Sequence, residues 1–190
     1  MKKLTQVFAV AAVAMTTVGM TGSAFAAETD SKDSTASVEF KTPETGALTL
    51  KEVPNFDFGT HEISTDDQVY SNTTEGKAQV QDIRGTVSGW SVSVLQNDDF
   101  KQGSTVLDGA QMKIASPAAD NGTTSDAATL AKGTAVEVWN AAKGTGNYLS
   151  NLTFDGTEGQ ATLDVPGASE KITGSYTTTL TWTLSDGVSQ

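Results

Sequence analysis

Residues able to support nucleophilic or metal chemistry are scarce in this chain. His61 is the single histidine, it lies in a polar stretch, and the sequence contains no cysteine. A nucleophilic site needs a base positioned beside its nucleophile, and zinc sites draw their ligands mainly from histidine and cysteine. The sequence therefore predicts neither a hydrolase triad nor a zinc centre.

Carboxylates are more abundant, and two adjacent pairs could in principle serve glycoside hydrolysis: Asp66-Asp67 and Asp98-Asp99. Neighbouring residues on a strand point to opposite faces, and both pairs lie in loop-like segments, so solvated loop charge is the preferred interpretation. Residues 120–126 are rich in oxygen ligands but lack the alternating acids and terminal Glu of a calcium loop. We expect no enzyme activity, no metal and no cofactor.

Two Trp-x-aliphatic tripeptides are the remaining candidates for a site, WSV at residues 90–92 and WTL at residues 182–184. Each tryptophan lies on the apolar face of a predicted strand. It is either buried between two sheets or serves as a platform for a sugar ring or a partner side chain. Both interpretations stay open. The candidate binding residues, for a sugar or a protein partner, are Trp90, Val92, Trp182 and Leu184.

The segments that would position these residues show the alternation of β-strands. Apolar side chains alternate along residues 47–53, 86–95, 161–165 and 176–184, and Gly, Pro and Asn separate such segments. The composition is rich in Gly, Thr, Ser and Asn. These patterns predict an all-β fold, an antiparallel two-sheet β-sandwich with Ig-like or Greek-key-like connections. A barrel is the alternative.

Three segments have less regular patterns. Residues 60–76 are polar and turn-rich, and residues 118–132 form a loop or contain one helical turn. Val136 and Val138 alternate as a strand, which places Trp139 on the opposite face.

The N-terminus predicts export. Lys2 and Lys3 precede the uncharged, largely apolar residues 4–20, and Ala24-Phe25-Ala26 offers small residues to a signal peptidase. We interpret residues 1–26 as a secretory signal peptide, residues 27–45 as a flexible polar lead-in and residues 46–190 as the β domain. The interrupted apolar run is a poor membrane anchor, and no transmembrane segment is expected after signal cleavage.

The charge restricts the possible partners. The formal net charge is −11, and removal of Lys2 and Lys3 leaves 10 basic against 23 acidic residues, or −13. Such a surface repels nucleic acid and anionic lipid, so neither is an expected partner. Other anionic surface polymers would be repelled as well, so retention on such a surface must rely on short-range contacts that added salt does not weaken. No lipidation or sorting motif for covalent attachment is visible.

Three blocks, taken in order, resemble the WxL domain of Gram-positive surface proteins. They are residues 46–59, residues 82–90 with the first tripeptide, and residues 174–186 with the second. Two departures from the family pattern are Val92 in place of leucine and Gly187-Val188 in place of the usual proline.

The resemblance implies a small WxL protein, exported and retained non-covalently on the cell wall by binding peptidoglycan. It also implies protein partners, a WxL-interacting protein and larger WxL proteins. In the alternative, the domain is a subunit of a surface complex and docks on such a partner rather than on the wall.

Overall fold

The computed structural model describes residues 30–187. The predicted signal peptide lies outside the described residues. Residues 30–39 contain no regular secondary structure and are exposed. The β-strands lie in the unit that begins at Phe40. No α-helix occurs between residues 30 and 187.

The described residues form fourteen strands, and every pair of strands is antiparallel. They are β1 (Leu48–Glu52), β2 (Gln68–Ser71), β3 (Gly76–Asp82), β4 (Trp90–Gln96), β5 (Lys101–Gln102), β6 (Thr105–Val106), β7 (Gln111–Ile114), β8 (Ala118–Ala119), β9 (Thr124–Ser125), β10 (Ala128–Thr129), β11 (Ala135–Ala141), β12 (Tyr148–Phe154), β13 (Ala161–Val165) and β14 (Leu180–Asp186).

These strands build three four-stranded sheets and one hairpin. The sheet orders are β1-β3-β12-β8, β10-β7-β13-β2 and β14-β4-β11-β9, and β5 pairs with β6. Within residues 30–187 no sheet closes on itself, so the barrel alternative is not realised. The prediction of an all-β, antiparallel, sandwich-like fold is confirmed.

The strands form where apolar and polar residues alternate, because alternation places one set of side chains against the core. Along β13, Ala161, Leu163 and Val165 are buried while the two intervening residues are partly exposed. Along β14, Thr181 and Thr183 face solvent, and Leu180, Trp182 and Leu184 are half-buried. The alternation predicted both strands, with the right bounds for β13, whereas β14 begins at Leu180 rather than at residue 176 and extends to Asp186.

Two of the less regular segments contain more strand than their sequences indicate. Residues 60–76 include β2, which pairs with β13, and residues 118–132 include the two-residue strands β8, β9 and β10. Each of these four strands is the outer strand of its sheet and pairs with one longer neighbour. Its hydrogen bonds come from that neighbour, so its own sequence carries little periodic signal.

A bulge in β11 decides the position of Trp139. The register between β11 and β4 shifts between Glu137 and Trp139, which places Trp139 opposite Val92 and Val136 opposite Val94. A bulge inserts one residue and thereby changes which face the following side chains occupy. Trp139 therefore lies on the core side together with Val136, and regular alternation predicted the wrong relation between these two residues.

The core is one cluster that draws on all three large sheets. The rings of Trp90 and Trp139 meet edge-to-face, with centroids 4.7 Å apart and planes at 84°. Phe154 and the half-buried Phe56 also form an edge-to-face pair, with centroids 5.1 Å apart and planes at 86°. Edge-to-face pairs bring the positive ring edge to the negative ring face, so the two contacts add to the burial energy of the rings.

Candidate functional site

The two tryptophan tripeptides lie side by side on neighbouring strands. Residues 90–92 begin β4 and residues 182–184 lie within β14, and the register of the pair sets Leu184 opposite Val92 and Trp182 opposite Val94. Chain positions some ninety residues apart are thus brought together by one antiparallel ladder. The two motifs nevertheless differ in burial.

The first motif belongs to the core. Trp90 and Val92 are fully buried. The Trp90 Nε1 atom donates a hydrogen bond to the carbonyl oxygen of Gly146 at 3.1 Å, so the indole N–H is satisfied inside the protein. A ligand cannot reach either side chain in this conformation, so any role of the first motif in binding would be exerted through the packing it supports.

The second motif lies at the surface. Trp182 and Leu184 are half-buried and pack against the core from one side. Trp182 also lines a groove of about 840 Å³. Of the four predicted binding residues, Trp182 is the one that a groove ligand could touch.

We call this cavity the aromatic groove and define it by three sets of residues. One wall is residues 53–63, the other is residues 171–180 with Trp182, and the base is formed by side chains of the core or its margin. Six aromatic side chains and His61 contribute to the lining. The aromatic residues are Phe56, Phe58, Tyr70, Phe100, Tyr176 and Trp182.

The wall of residues 53–63 is held in place by a buried amide. The Asn72 Oδ1 atom accepts hydrogen bonds from the Asp57 backbone N–H at 2.9 Å and from the Thr74 hydroxyl at 2.8 Å. At the rim, the ring of His61 stacks on Tyr70 with centroids 3.9 Å apart, and His61 Nε2 donates to the carbonyl oxygen of Phe58 at 2.6 Å. This wall contains no strand, yet its backbone is fixed by these side chains.

The wall of residues 171–180 is tied to the neighbouring β5 hairpin. Lys101 and Thr177 exchange two backbone hydrogen bonds at 3.0 and 3.1 Å. Gln102 Nε2 donates to the carbonyl oxygen of Thr173 at 3.0 Å, and the Tyr176 hydroxyl accepts from the backbone N–H of Ile172 at 2.8 Å. The groove is therefore built before any ligand arrives, which is the usual condition of a small-molecule site.

The opposite end of β14 is fastened by a group of three side chains that we call the arginine clasp, made of Arg84, Asp82 and Asp186. Arg84 forms a two-pronged hydrogen bond to Asp82, with N–O distances of 2.9 and 2.7 Å, and also bonds Asp186. Burial by itself raises the pKa of Asp82, but the hydrogen bonds and charge of Arg84 outweigh burial and hold that pKa below its usual value. The hydrogen bond to Asp82 in turn raises the pKa of Arg84.

Three of the acidic residues considered for catalysis or calcium have clear structural partners. Asp98 bonds Lys101 at 3.0 Å, and Asp99 bonds Lys132 at 2.8 Å. The Asp120 carboxylate accepts from the backbone and side-chain nitrogens of Asn151 at 2.6 and 2.8 Å. Between residues 30 and 187 no three His, Cys, Asp or Glu side chains converge as a metal site would require.

Sequence patterns alone did not identify the aromatic groove as a site. The alternating aromatics Phe56 and Phe58 were the available signal, since they share one side of an extended segment. Tyr70 and Tyr176 are contributed by segments distant in sequence, and only folding places them beside Trp182.

The sequence blocks that resemble the WxL domain converge in this structure. The first and third blocks supply most of each wall of the aromatic groove, and the second and third blocks meet in the arginine clasp. No helix among the described residues is long and apolar enough to cross a membrane.

Comparison with known families agrees with this convergence. Residues 25–187 match the family model of the WxL domain, described as surface cell wall-binding. No curated protein and no solved structure matches the chain. The match covers nearly the whole chain, and the chain therefore belongs to the WxL family of surface cell wall-binding domains.

Proposed function

We propose that this protein is held non-covalently on the Gram-positive cell wall by binding the glycan strands of peptidoglycan in the aromatic groove. The observation that carries the proposal is the groove itself, an open cavity of about 840 Å³ lined by aromatic rings and hydroxyl side chains. Family membership supports binding at the cell surface, and the groove supplies a surface on which that binding can occur.

The lining suits a carbohydrate chemically. Sugar rings present apolar C–H faces, which pack on aromatic rings, and hydroxyl edges, which need hydrogen-bonding partners. Tyr176 and Trp182 offer partly exposed rings, and the threonines of residues 173–179 offer hydroxyl groups beside them. A few polar groups within an apolar lining are typical of ligand sites, where they fix orientation and specificity.

The net charge of the protein agrees with this type of contact. The formal charge is −11 for the full sequence and −13 without Lys2 and Lys3, so the protein gains nothing from long-range attraction to an anionic wall. Stacking and hydrogen bonding act over a few ångströms and are weakly screened, so they can operate against that repulsion.

The test is co-sedimentation of the purified protein, lacking residues 1–26, with sacculi stripped of teichoic acids and proteins. We expect the wild-type protein to pellet and Trp182→Ala to remain in the supernatant. Tyr148→Ala is the matched control, because Tyr148 is 75% exposed and lies outside the aromatic groove. Failure of the wild-type protein to pellet, or equal pelleting of both variants, would contradict the proposal.

A second candidate function is docking on a WxL-interacting protein or a larger WxL protein, and the free edge of β14 favours it. β14 is hydrogen-bonded to β4 on one side and to no other named strand between residues 30 and 187, although β1 packs close to it. The Asn97 N–H donates to the carbonyl oxygen of Thr179, and the Gly187 N–H donates to that of Gly89. The backbone N–H and C=O groups of the odd-numbered residues of β14 therefore point toward β4. The backbone groups of the even-numbered residues point away from the sheet; these residues are Leu180, Trp182, Leu184 and Asp186.

Such an edge usually carries protection, because unpaired backbone groups recruit other strands. β14 has no proline, no lysine and no register shift, and it is seven residues long. A partner could add a strand there. In that case stripped sacculi would not bind the protein, whereas sacculi that retain their surface proteins would bind it. Trp182→Ala would then behave like the wild-type protein on both kinds of sacculi.

A further inference from the structure

We infer that the aromatic groove selects uncharged, N-acetylated stretches of glycan and excludes anionic polymers. This inference rests on the proposed function and adds a charge preference to it. It concerns the side chains that line the groove rather than the net charge of the molecule.

Three charged side chains line the groove: Asp57, Glu62 and Lys171. Two are acidic and one is basic, so the lining is negative. Binding sites for phosphate or carboxylate usually present arginine forks or free lysine ammonium groups. The single arginine of the sequence, Arg84, is held by Asp82 and Asp186 in the clasp.

Lys171 has no hydrogen-bond donor left for an anion. Its ammonium group donates to the backbone carbonyl oxygens of Pro166, Gly167 and Ser169, at 2.9, 3.1 and 3.2 Å. A lysine ammonium has three N–H donors, and these three bonds use all of them. An anion could be bound there only by breaking contacts that shape the neighbouring loop.

The two carboxylates act in the opposite direction. Asp57 and Glu62 are exposed on the same wall, and Asp57 Oδ1 already accepts the backbone N–H of Gly59 at 2.9 Å. Their remaining oxygens can accept hydrogen bonds from sugar hydroxyl or amide N–H groups, but they repel phosphate and carboxylate. A neutral N-acetylhexosamine supplies these donors without a charge penalty.

A matched pair of probes tests the charge preference: the β-1,4-linked N-acetylglucosamine hexamer and the same hexamer with its C6 hydroxymethyl groups oxidised to carboxylates. Binding is followed by tryptophan fluorescence and titration calorimetry. We expect the neutral hexamer to bind and the oxidised one to bind at least about tenfold more weakly at low salt, with the difference shrinking as salt is added. Glycerol-phosphate polymer should not compete.

The matched variants are Glu62→Lys in the groove wall and Glu158→Lys at an exposed position outside it. Glu62→Lys should reduce the ratio of the affinity for the neutral hexamer to the affinity for the oxidised hexamer. Glu158→Lys should leave this ratio unchanged. Equal effects of the two variants, or equal binding of the two hexamers to the wild-type protein, would overturn the inference.

The outcome also separates this inference from the proposed function. Suppose that the protein pellets with stripped sacculi and that glycerol-phosphate polymer releases it but the neutral hexamer does not. That result would refute the charge preference and leave the proposed function standing. A protein that neither pellets nor binds either hexamer refutes the proposed function as well.

Discussion

Replacing Arg84 by methionine should destabilise the domain strongly, because it removes the charged partner of a buried carboxylate. Arg84 is the partner of Asp82, whose side chain is only 2% exposed, and the arginine side chain itself is 11% exposed. Methionine keeps the unbranched chain of arginine but removes its charge and donors. The variant therefore leaves the buried Asp82 carboxylate with one donor in this group, the backbone N–H of residue 84. That N–H lies 3.1 Å from Asp82 Oδ1 in the wild-type structure.

The expected cost follows from that unpaired charge. Removing one partner of a buried ion pair costs about 3–5 kcal/mol, compared with a total folding stability of about 5–15 kcal/mol. The other acid of the clasp provides the control. Asp186 is 70% exposed, so Asp186→Asn should cost at most about 1 kcal/mol.

Lowering the pH should reduce the loss of folding stability caused by Arg84→Met. In the wild-type protein the Asp82 pKa is lowered, so the stability it contributes is present above about pH 4 and is lost as the pH falls through the folded pKa. In Arg84→Met, burial without the arginine should raise that pKa. Protonation then relieves the penalty as the pH falls from ~7 to ~4.5, where the wild-type carboxylate is still ionised.

Urea unfolding followed by tryptophan fluorescence measures both quantities. The gap in unfolding free energy between wild type and Arg84→Met should shrink by at least about 1 kcal/mol between pH ~7 and pH ~4.5. Adding Asp82→Asn to Arg84→Met removes the buried charge and should recover much of the loss at pH ~7. A gap below ~1 kcal/mol, or one that stays constant with pH, would refute the electrostatic role of the clasp.

Three further predictions concern the tryptophans and their surroundings. Trp90→Ala should cost about 3–5 kcal/mol in urea unfolding because the ring is fully buried, and Trp182→Ala should cost less because its ring is half-buried; equal costs would contradict their different burial. Gly146→Ala should destabilise more than Gly144→Ala, because both have positive φ but only at Gly146 would a Cβ fall 2.4 Å from Ala141 and 2.9 Å from Trp90; equal melting temperatures would argue against this close packing. Pelleting with stripped sacculi should persist or strengthen from ~0.05 to ~0.5 M NaCl, whereas a steep loss would indicate long-range attraction instead.

The longer strands could be predicted from sequence because their patterns repeat within a few residues. Residues 161–165 alternate without interruption, and the strand has those limits. The tryptophan of β11 shows where this reasoning fails. The bulge between Glu137 and Trp139 changes the face on which Trp139 lies, and it is visible only in the pairing with β4. The short strands between residues 118 and 132 likewise depend on neighbours far away in sequence.

The candidate site was predictable only in part, since equivalent motifs acquire different surroundings. Trp90 and Trp182 occupy similar tripeptides on alternating strands, and nothing local distinguishes them. β4 is flanked by β14 and β11, whereas β14 has a neighbour on one side. That difference in position buries the first tryptophan and leaves the second at the groove.

The sequence by itself determined the all-β class, the negative charge, the scarcity of nucleophilic and metal-binding residues and the likeness to the WxL domain, since composition, local periodicity and block order are properties of the linear chain. The tertiary structure alone decided which tryptophan faces the surface, that Arg84 joins Asp82 to Asp186, and that residues 53–63 and 171–180 enclose a groove. Each of these depends on contacts between segments far apart in the chain, and such contacts are fixed only when the sheets pack.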